Sequence, residues 1–338
     1  PTVAGKRIFV RRLVKTNPEL AALEKSDGRL LWSTRKGLFV VSDPLWVDHN
    51  LIALTLSYSG GGGILYLSTF DPASGDITAQ ERLATLRENW WQQRTCQLTA
   101  LKDTLVAVFG GTVLCCDRTG KTLWVRRQEW IPPQDDRDWA RQYQAPPLAW
   151  QDHLIVSQPG VAAVECLDAE SGELVWRKVL PGLKRLTGLV EDHLIVQTQS
   201  GFTALEPDKG DAVWFHEVGD VLEGQLCGGP GKLLYVRREK VPGNDNQLRP
   251  VLVWLDPATG LERATFAIDS LKHDHPMFGP FIAAGEKIWA FAAGGENEPV
   301  RALYELKPNG QPTMSAVRPR RATIAADRPK IAAATLNR

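Results

Sequence analysis

Residues 113–124, VLCCDRTGKTLW, set two adjacent cysteines before an aspartate, a glycine and a tryptophan. Taken alone, the stretch admits a redox or metal site as readily as an ordinary piece of fold. It does not stand alone. The same order of residues returns as LEKSDGRLLW (23–32), LDAESGELVW (167–176) and LEPDKGDAVW (205–214). Weaker copies, FDPASGDITA (70–79), LDPATGLERA (255–264) and LKPNGQPTM (306–314), keep the polar turn and the glycine but lose the tryptophan.

The seven turn glycines, Gly28, Gly75, Gly120, Gly172, Gly210, Gly260 and Gly310, recur at roughly 40 to 50 residues, the spacing of propeller blades. A second signature precedes each of them. It reads AGKRIFV (4–10), VDHNLIAL (47–54), LKDTLVAV (101–108), QDHLIVSQ (151–158), EDHLIVQT (191–198), GPGKLLYV (229–236) and AGEKIWAF (284–291), each a polar turn opening into an apolar, strand-forming run. The unit is therefore strand A, tight turn, strand B, loop, strand C, Asp/Glu-x-x-x-Gly turn, strand D. Glycine suits that turn because it takes a positive φ without a Cβ clash, and the acid bonds the turn's own amides. Four antiparallel strands repeated in this way predict an all-β chain, a β-propeller of seven four-stranded blades, or eight if strands precede Pro1. Trp32, Trp124, Trp176 and Trp214 fall at one place in strand D, where a large aromatic is expected to dock one blade on the next.

Composition agrees and narrows the function. The 338 residues are 43% hydrophobic, enough for a sizeable core, and 40 Lys plus Arg oppose 39 Asp plus Glu. So balanced a charge gives no global pull toward nucleic acid. Apolar runs stay well short of the roughly 20 residues of a membrane-spanning helix. The start at Pro1 reads as a processed or excised piece of something longer. Five scattered cysteines and no CxxC pair exclude a disulfide framework. The repeat occupies residues 1–315. Residues 316–338, rich in Ala, Arg and Pro, read as a tail that supplies a closing strand or a linker.

On these motifs the chain resembles the pyrroloquinoline quinone (PQQ)-type propellers, whose repeat is Asp-x-x-[ST]-Gly-x-x-x-Trp. That family includes quinoprotein alcohol dehydrogenases and non-enzymatic relatives such as the lipoprotein of the bacterial outer-membrane β-barrel assembly machine. The resemblance implies an extracytoplasmic, periplasmic location. The dehydrogenases' catalytic aspartate and calcium-binding residues have no matching motif here, so no cofactor and no metal are expected. The alternative is a quinoprotein oxidoreductase using PQQ with Ca²⁺. A vicinal Cys-Cys pair belongs to those dehydrogenases too, but it lies in a loop facing the cofactor. Here Cys116 shares a column with Leu23, Phe70, Leu167, Leu205, Leu255 and Leu306, and Cys115 with Ala22, Thr69, Cys166, Ala204, Trp254 and Glu305. Both columns are strand C, which favours packing over redox chemistry.

The histidines divide between the repeat and the loops. His49, His153 and His193 each follow an aspartate near the A–B turn and read as one column of turn polarity rather than catalytic dyads. His273 and His275, in KHDH (272–275), lie outside any column. Irregular length collects on the face built from B–C loops and D–A connections, and in repeat folds such a face commonly binds. Its D–A segments 86–96, 126–147 and 270–280 and its B–C segments 58–64, 238–250 and 294–299 carry the candidate binding residues. These are Trp90, Trp91, Arg94, Trp130, Asp135, Asp136, Arg137, Trp139, Tyr143, His273 and His275. Aromatics beside charges suit a protein partner or a small ligand. The expectation is a non-catalytic scaffold, a monomeric domain of a larger bacterial protein. Neither nucleic acid nor a transmembrane segment is expected.

Overall fold

The computed structural model describes residues 1–14, 17–35, 37–59, 62–87, 96–127, 146–158, 162–218, 221–226, 233–267, 277–284, 287–293, 302–306 and 315–317. Its described strands form seven antiparallel sheets, here called blades 1 to 7. Blade 1 is β1 (Thr2–Ala4), β2 (Arg7–Val14), β3 (Asn17–Glu24) and β4 (Leu30–Ser33). In blade 2 the first strand is split into β5 (Phe39–Val40) and β6 (Leu45–Val47), both on β7 (Asn50–Ser59), followed by β8 (Gly62–Phe70) and β9 (Ile77–Arg87). Blade 3 holds β10 (Gln97–Leu101), β11 (Thr104–Phe109), β12 (Thr112–Asp117) and β13 (Thr122–Arg127). Blade 4 holds β14 (Leu148–Trp150), β15 (His153–Gln158), β16 (Ala163–Asp168) and β17 (Leu174–Val179). Blade 5 holds β18 (Leu183–Val190), β19 (His193–Thr198), β20 (Gly201–Leu205) and β21 (Ala212–Glu217). Blade 6 consists of β22 (Val221–Leu226), β23 (Leu233–Val241), β24 (Asn244–Leu255) and β25 (Glu262–Ala267), and blade 7 of β26 (Met277–Ala284), β27 (Lys287–Ala293), β28 (Ala302–Leu306) and β29 (Ser315–Val317).

The chain divides into two compact units. One comprises Pro1–Gly219 with Leu255–Glu262, the other Asp220–Trp254 with Arg263–Arg338. In the first, consecutive blades stack face to face, so the middle strands are buried on both faces and read as unbroken apolar runs. β11, for example, is buried from Leu105 through Phe109. Outer strands β13, β17 and β21 instead share one alternating pattern of exposure. In the second unit β22 lies beside β26. No helix among the described residues is long and apolar enough to cross a membrane.

The third-to-fourth strand turn is built as the repeat predicts. In blade 4 the Gly172 amide donates to the Asp168 carbonyl at 2.9 Å, and the Ser171 amide and hydroxyl both donate to Asp168 Oδ1 at 2.7 Å. Just beyond the turn the fourth strands of blades 1 to 5 carry a β-bulge. Cys115 faces Trp124 but Cys116 faces Thr122, which leaves Leu123 as the extra residue. Leu31, Val175 and Val213 are skipped in the same way. The bulge re-aims the strand, so the following tryptophan stands over the next blade, while the skipped Leu123, Val175 and Val213 are exposed and Leu31 packs against the core beside blade 2.

This geometry answers the question of the paired cysteines. The residue opposite each tryptophan is small: Ala22 for Trp32, Cys115 for Trp124, Cys166 for Trp176 and Ala204 for Trp214. Cys115 therefore packs with Trp124 and with Leu154, Val156 and Leu167 of blade 4. Cys116, one residue on, points to the other face and packs with Leu54, Leu65 and Leu67 of blade 2. The two thiols thus belong to separate cores. Burial pushes the Cys116 thiol up to about 12, with Cys115 and Asp117 adding to the shift. Burial raises Cys115 as well, against a hydrogen bond with Thr104 that lowers it.

Three departures from the sequence reading follow from strand pairing. Val47 pairs with Asn50, so Asp48 and His49 are the two turn residues of blade 2. Trp150 pairs with His153 and Val190 with His193, so there the turns are Gln151-Asp152 and Glu191-Asp192, and both histidines open a strand. The three Asp-His pairs are therefore out of register by one residue and do not form one column. Secondly, most of segment 238–250 is not loop, because β23 and β24 run through it around a left-handed Gly243. Thirdly, Ser315–Val317 pairs with β28 as the fourth strand of blade 7, so the repeat reaches two residues past 315.

Candidate functional site

Every loop residue expected to bind, Trp90, Trp91, Arg94, Trp130, Asp135, Asp136, Arg137, Trp139, Tyr143, His273 and His275, lies outside the described residues. The four strand tryptophans are described and share one arrangement. Trp32 Nε1 donates to the Pro72 carbonyl at 3.0 Å, Trp124 to Ala169 at 3.2 Å, Trp176 to Pro207 at 2.8 Å and Trp214 to Pro257 at 2.8 Å. Each acceptor sits in the third-to-fourth strand turn of the next blade. The turn glycine there lies under the indole: a Cβ on Gly75, Gly172, Gly210 or Gly260 would come within 2.5 to 2.7 Å of the ring. All four also have φ between +70° and +78°. Conformation and contact both call for glycine.

Blade 2 breaks the series. Its position in the tryptophan column is Ala79, opposite Thr69, and the group over Gly120 of blade 3 is the aliphatic part of Glu81. β9 compensates with length. It has 11 residues against six in β13, β17 and β21, and a second bulge at Leu83 carries it on to Arg87.

Between this extension and blade 3 lies a groove of about 730 Å³, within the range of small-ligand sites. One wall is β9 from Leu83 to Leu86, the other is the Phe109–Thr112 turn with Leu114, Val125 and Arg127. Gly110 and Gly111 make that turn with φ of 44° and 70°, leaving the wall without side chains there. Buried Leu86, Phe109 and Leu114 supply an apolar floor. Arg127, exposed at the end of β13, has no ion-pair partner among the described residues. Among the described residues, no acidic side chain lines the groove.

The groove opens on the side of the blades where B–C turns and D–A connections lie. Segments 88–95 and 128–145, which hold nine of the expected binding residues, leave the chain at Arg87 and Arg127, the ends of the two strands that wall it.

The junction of blades 3 and 4 is filled where that of blades 2 and 3 is open. Glu165, 3% exposed, occupies the position that Leu114 holds in blade 3. Its Oε2 meets Arg126 Nε of blade 3 at 3.4 Å, and its Oε1 meets Arg177 Nε at 3.6 Å. Sequence reading missed this charge. A glutamate in a column otherwise made of Ala21, Ser68, Leu114, Thr203, Val253 and Tyr304 is the signal that could have found it. No group of three His, Cys, Asp or Glu side chains able to hold a metal ion occurs among the described residues.

The sequence profile of the family described as "Outer membrane protein assembly factor BamB" matches residues 1–124 and 109–275. The chain belongs to this family. BamB from Moraxella catarrhalis superposes with a TM-score of 0.59 at 15% identity, over 94% of this chain and 84% of that one. Hsv2 from Kluyvelomyces marxianus superposes with a TM-score of 0.50 at 10% identity, over 86% and 85%. At such identities the likeness is one of fold, and the fold is the β-propeller. No curated protein sequence matches the chain. Within the BamB family frame, the repeat at 113–124 is the blade motif and its cysteines are packing residues.

Proposed function

We propose that this chain is a non-catalytic propeller scaffold that binds a partner protein on the face of its B–C turns and D–A connections, in an extracytoplasmic setting. The observation that carries the reading is the groove beside blade 3, on the side from which the tryptophan-rich segments 88–95 and 128–145 depart. Membership of a family described as an outer membrane protein assembly factor supports the scaffold role and the location. Aromatic and arginine side chains of the kind those segments carry are the usual anchors of protein interfaces.

Site-specific photo-crosslinking in the host bacterium tests this. A photoreactive residue at position 90, 94, 130 or 139 is expected to give discrete protein adducts in the envelope fraction. The same residue at Lys25, Lys121 or Lys209, exposed on the opposite turns, is expected to give none. Adducts from both faces alike, or from neither, refute the reading. Calorimetric titration with PQQ and Ca²⁺, followed by dye-linked alcohol oxidation, tests the enzymatic alternative. Saturable binding with turnover would replace the scaffold with a quinoprotein oxidoreductase.

A further inference from the structure

We propose that the groove between β9 and blade 3 takes an extended peptide segment of a partner protein, with apolar side chains toward its floor and one carboxylate opposite Arg127. The inference rests on the scaffold reading and specifies the chemistry of its site. Three observations carry it.

The first is the edge. β9 is the last strand of its sheet, and its stretch from Ala84 to Arg87, paired on the inner side with Gly62–Leu65, runs along the groove for about 13 Å at the usual strand rise. An unpaired strand edge offers amides and carbonyls to a second extended chain. The second is the wall. The Gly110-Gly111 turn presents backbone alone, so a peptide can approach it closely. The third is charge. Among the described residues, Arg127 has no ion-pair partner and no acid lines the groove, while Arg82 is held on β9 by a hydrogen bond to Thr85. A guanidinium at the mouth of a groove with an apolar floor selects a carboxylate, which it can bind through two parallel hydrogen bonds. A wholly apolar peptide would leave that preference unused, and a basic one would be repelled.

The remaining candidates lead elsewhere. Glu165 is already satisfied by two arginines. The buried Nδ1 atoms of His153 and His193 stand in separate blades, and among the described residues no group of three ligating side chains forms around either.

The test uses the full chain and capped, fluorescein-labelled octapeptides of alternating Val and Thr with one central Asp, with Asn and Lys versions as probes. The Asp peptide is expected to bind saturably, and the Asn peptide at least about 10-fold more weakly, as the loss of a charged hydrogen bond implies. Arg127→Glu, a change at an exposed side chain, is expected to weaken the Asp peptide by a similar factor and to reverse the preference toward the Lys peptide. Val125→Glu, also on an exposed wall residue, is expected to weaken all three. Equal binding of Asp and Asn peptides, indifference to Arg127→Glu, or no binding at about 1 mM overturns the inference. The scaffold reading fails separately. Loop-face crosslinks without peptide binding leave the scaffold and remove the groove, whereas charge-dependent peptide binding without any crosslinks does the reverse.

Discussion

The junction of blades 3 and 4 and the junction of blades 2 and 3 are made from the same repeat, one closed and the other left open. In the first, Trp124 caps Gly172 and Arg126 reaches the buried Glu165. In the second, Ala79 and Glu81 stand in the places of Trp124 and Arg126, Leu114 stands in the place of Glu165, and a groove remains. The difference teaches that one repeat can either close or open a junction, depending on what stands in its tryptophan column. Four tryptophans cap their junctions, whereas the junction of blades 2 and 3 has no indole and keeps an open groove.

The largest effect expected from breaking the closed junction is that of Trp124→Ala. It removes a docked indole and its hydrogen bond, and about 3–5 kcal/mol of unfolding free energy should be lost. Glu81→Ala at the open junction should change stability by no more than about 0.5 kcal/mol. Urea denaturation of both variants measures the contrast, and equal losses would remove it.

Next comes the turn glycine beneath the indole. Gly172→Ala meets both a left-handed φ of 73° and the Trp124 ring, whereas Gly28→Ala meets the same φ with nothing within 4 Å. The conformational cost alone is about 1–2 kcal/mol. Gly172→Ala is expected to exceed Gly28→Ala by at least about 1 kcal/mol in the same denaturation experiment.

Glu165→Gln keeps the shape but removes the charge between Arg126 and Arg177. A loss of about 1–3 kcal/mol is expected, the cost of weakening hydrogen bonds to a buried charged group. The matched change at the open junction, Leu114→Met, should cost less than about 1.5 kcal/mol.

The last effect is alkaline and absent at neutral pH. The Cys116 thiol is raised from 9.0 to about 12 in the folded chain, chiefly by burial. A raised folded value means that the unfolded state releases its proton first. The stabilisation is therefore complete below about pH 9 and is lost as pH climbs through the interval to about 12. Cys116→Ala is expected to flatten the fall of melting temperature across that interval. An unchanged slope would mean that the alkaline loss lies elsewhere.

The sequence was most legible where a residue type has one physical use. A glycine at every third-to-fourth strand turn and a tryptophan four residues later are such residues, and they revealed the blades and the docking column. Legibility failed where meaning depends on pairing. Asp48-His49 and Asp152-His153 look identical as letters, yet the two-residue turn falls one position apart in them. Segment 238–250, with its Pro, Gly and Asn, reads as loop, although β-pairing draws most of it into two long strands. The groove was invisible for a similar reason. It exists because β9 runs on to Arg87 and two glycines leave space opposite, and neither fact is a motif. Segments 88–95 and 128–145 beside it lie outside the described residues, and the expectation that they bind came from their composition alone.

Each docked indole reaches forward along the chain, never back. Its carbonyl partner is 31 to 45 residues further on. A blade leaving the ribosome therefore remains without its cap until the following turn has been synthesised, and structure is completed one blade behind translation. At the rates of synthesis in cells, about 5–20 residues per second, that lag runs from about 2 to about 9 seconds. Holding back the last blade of the tryptophan series should expose one unfinished seam rather than unravel the whole array.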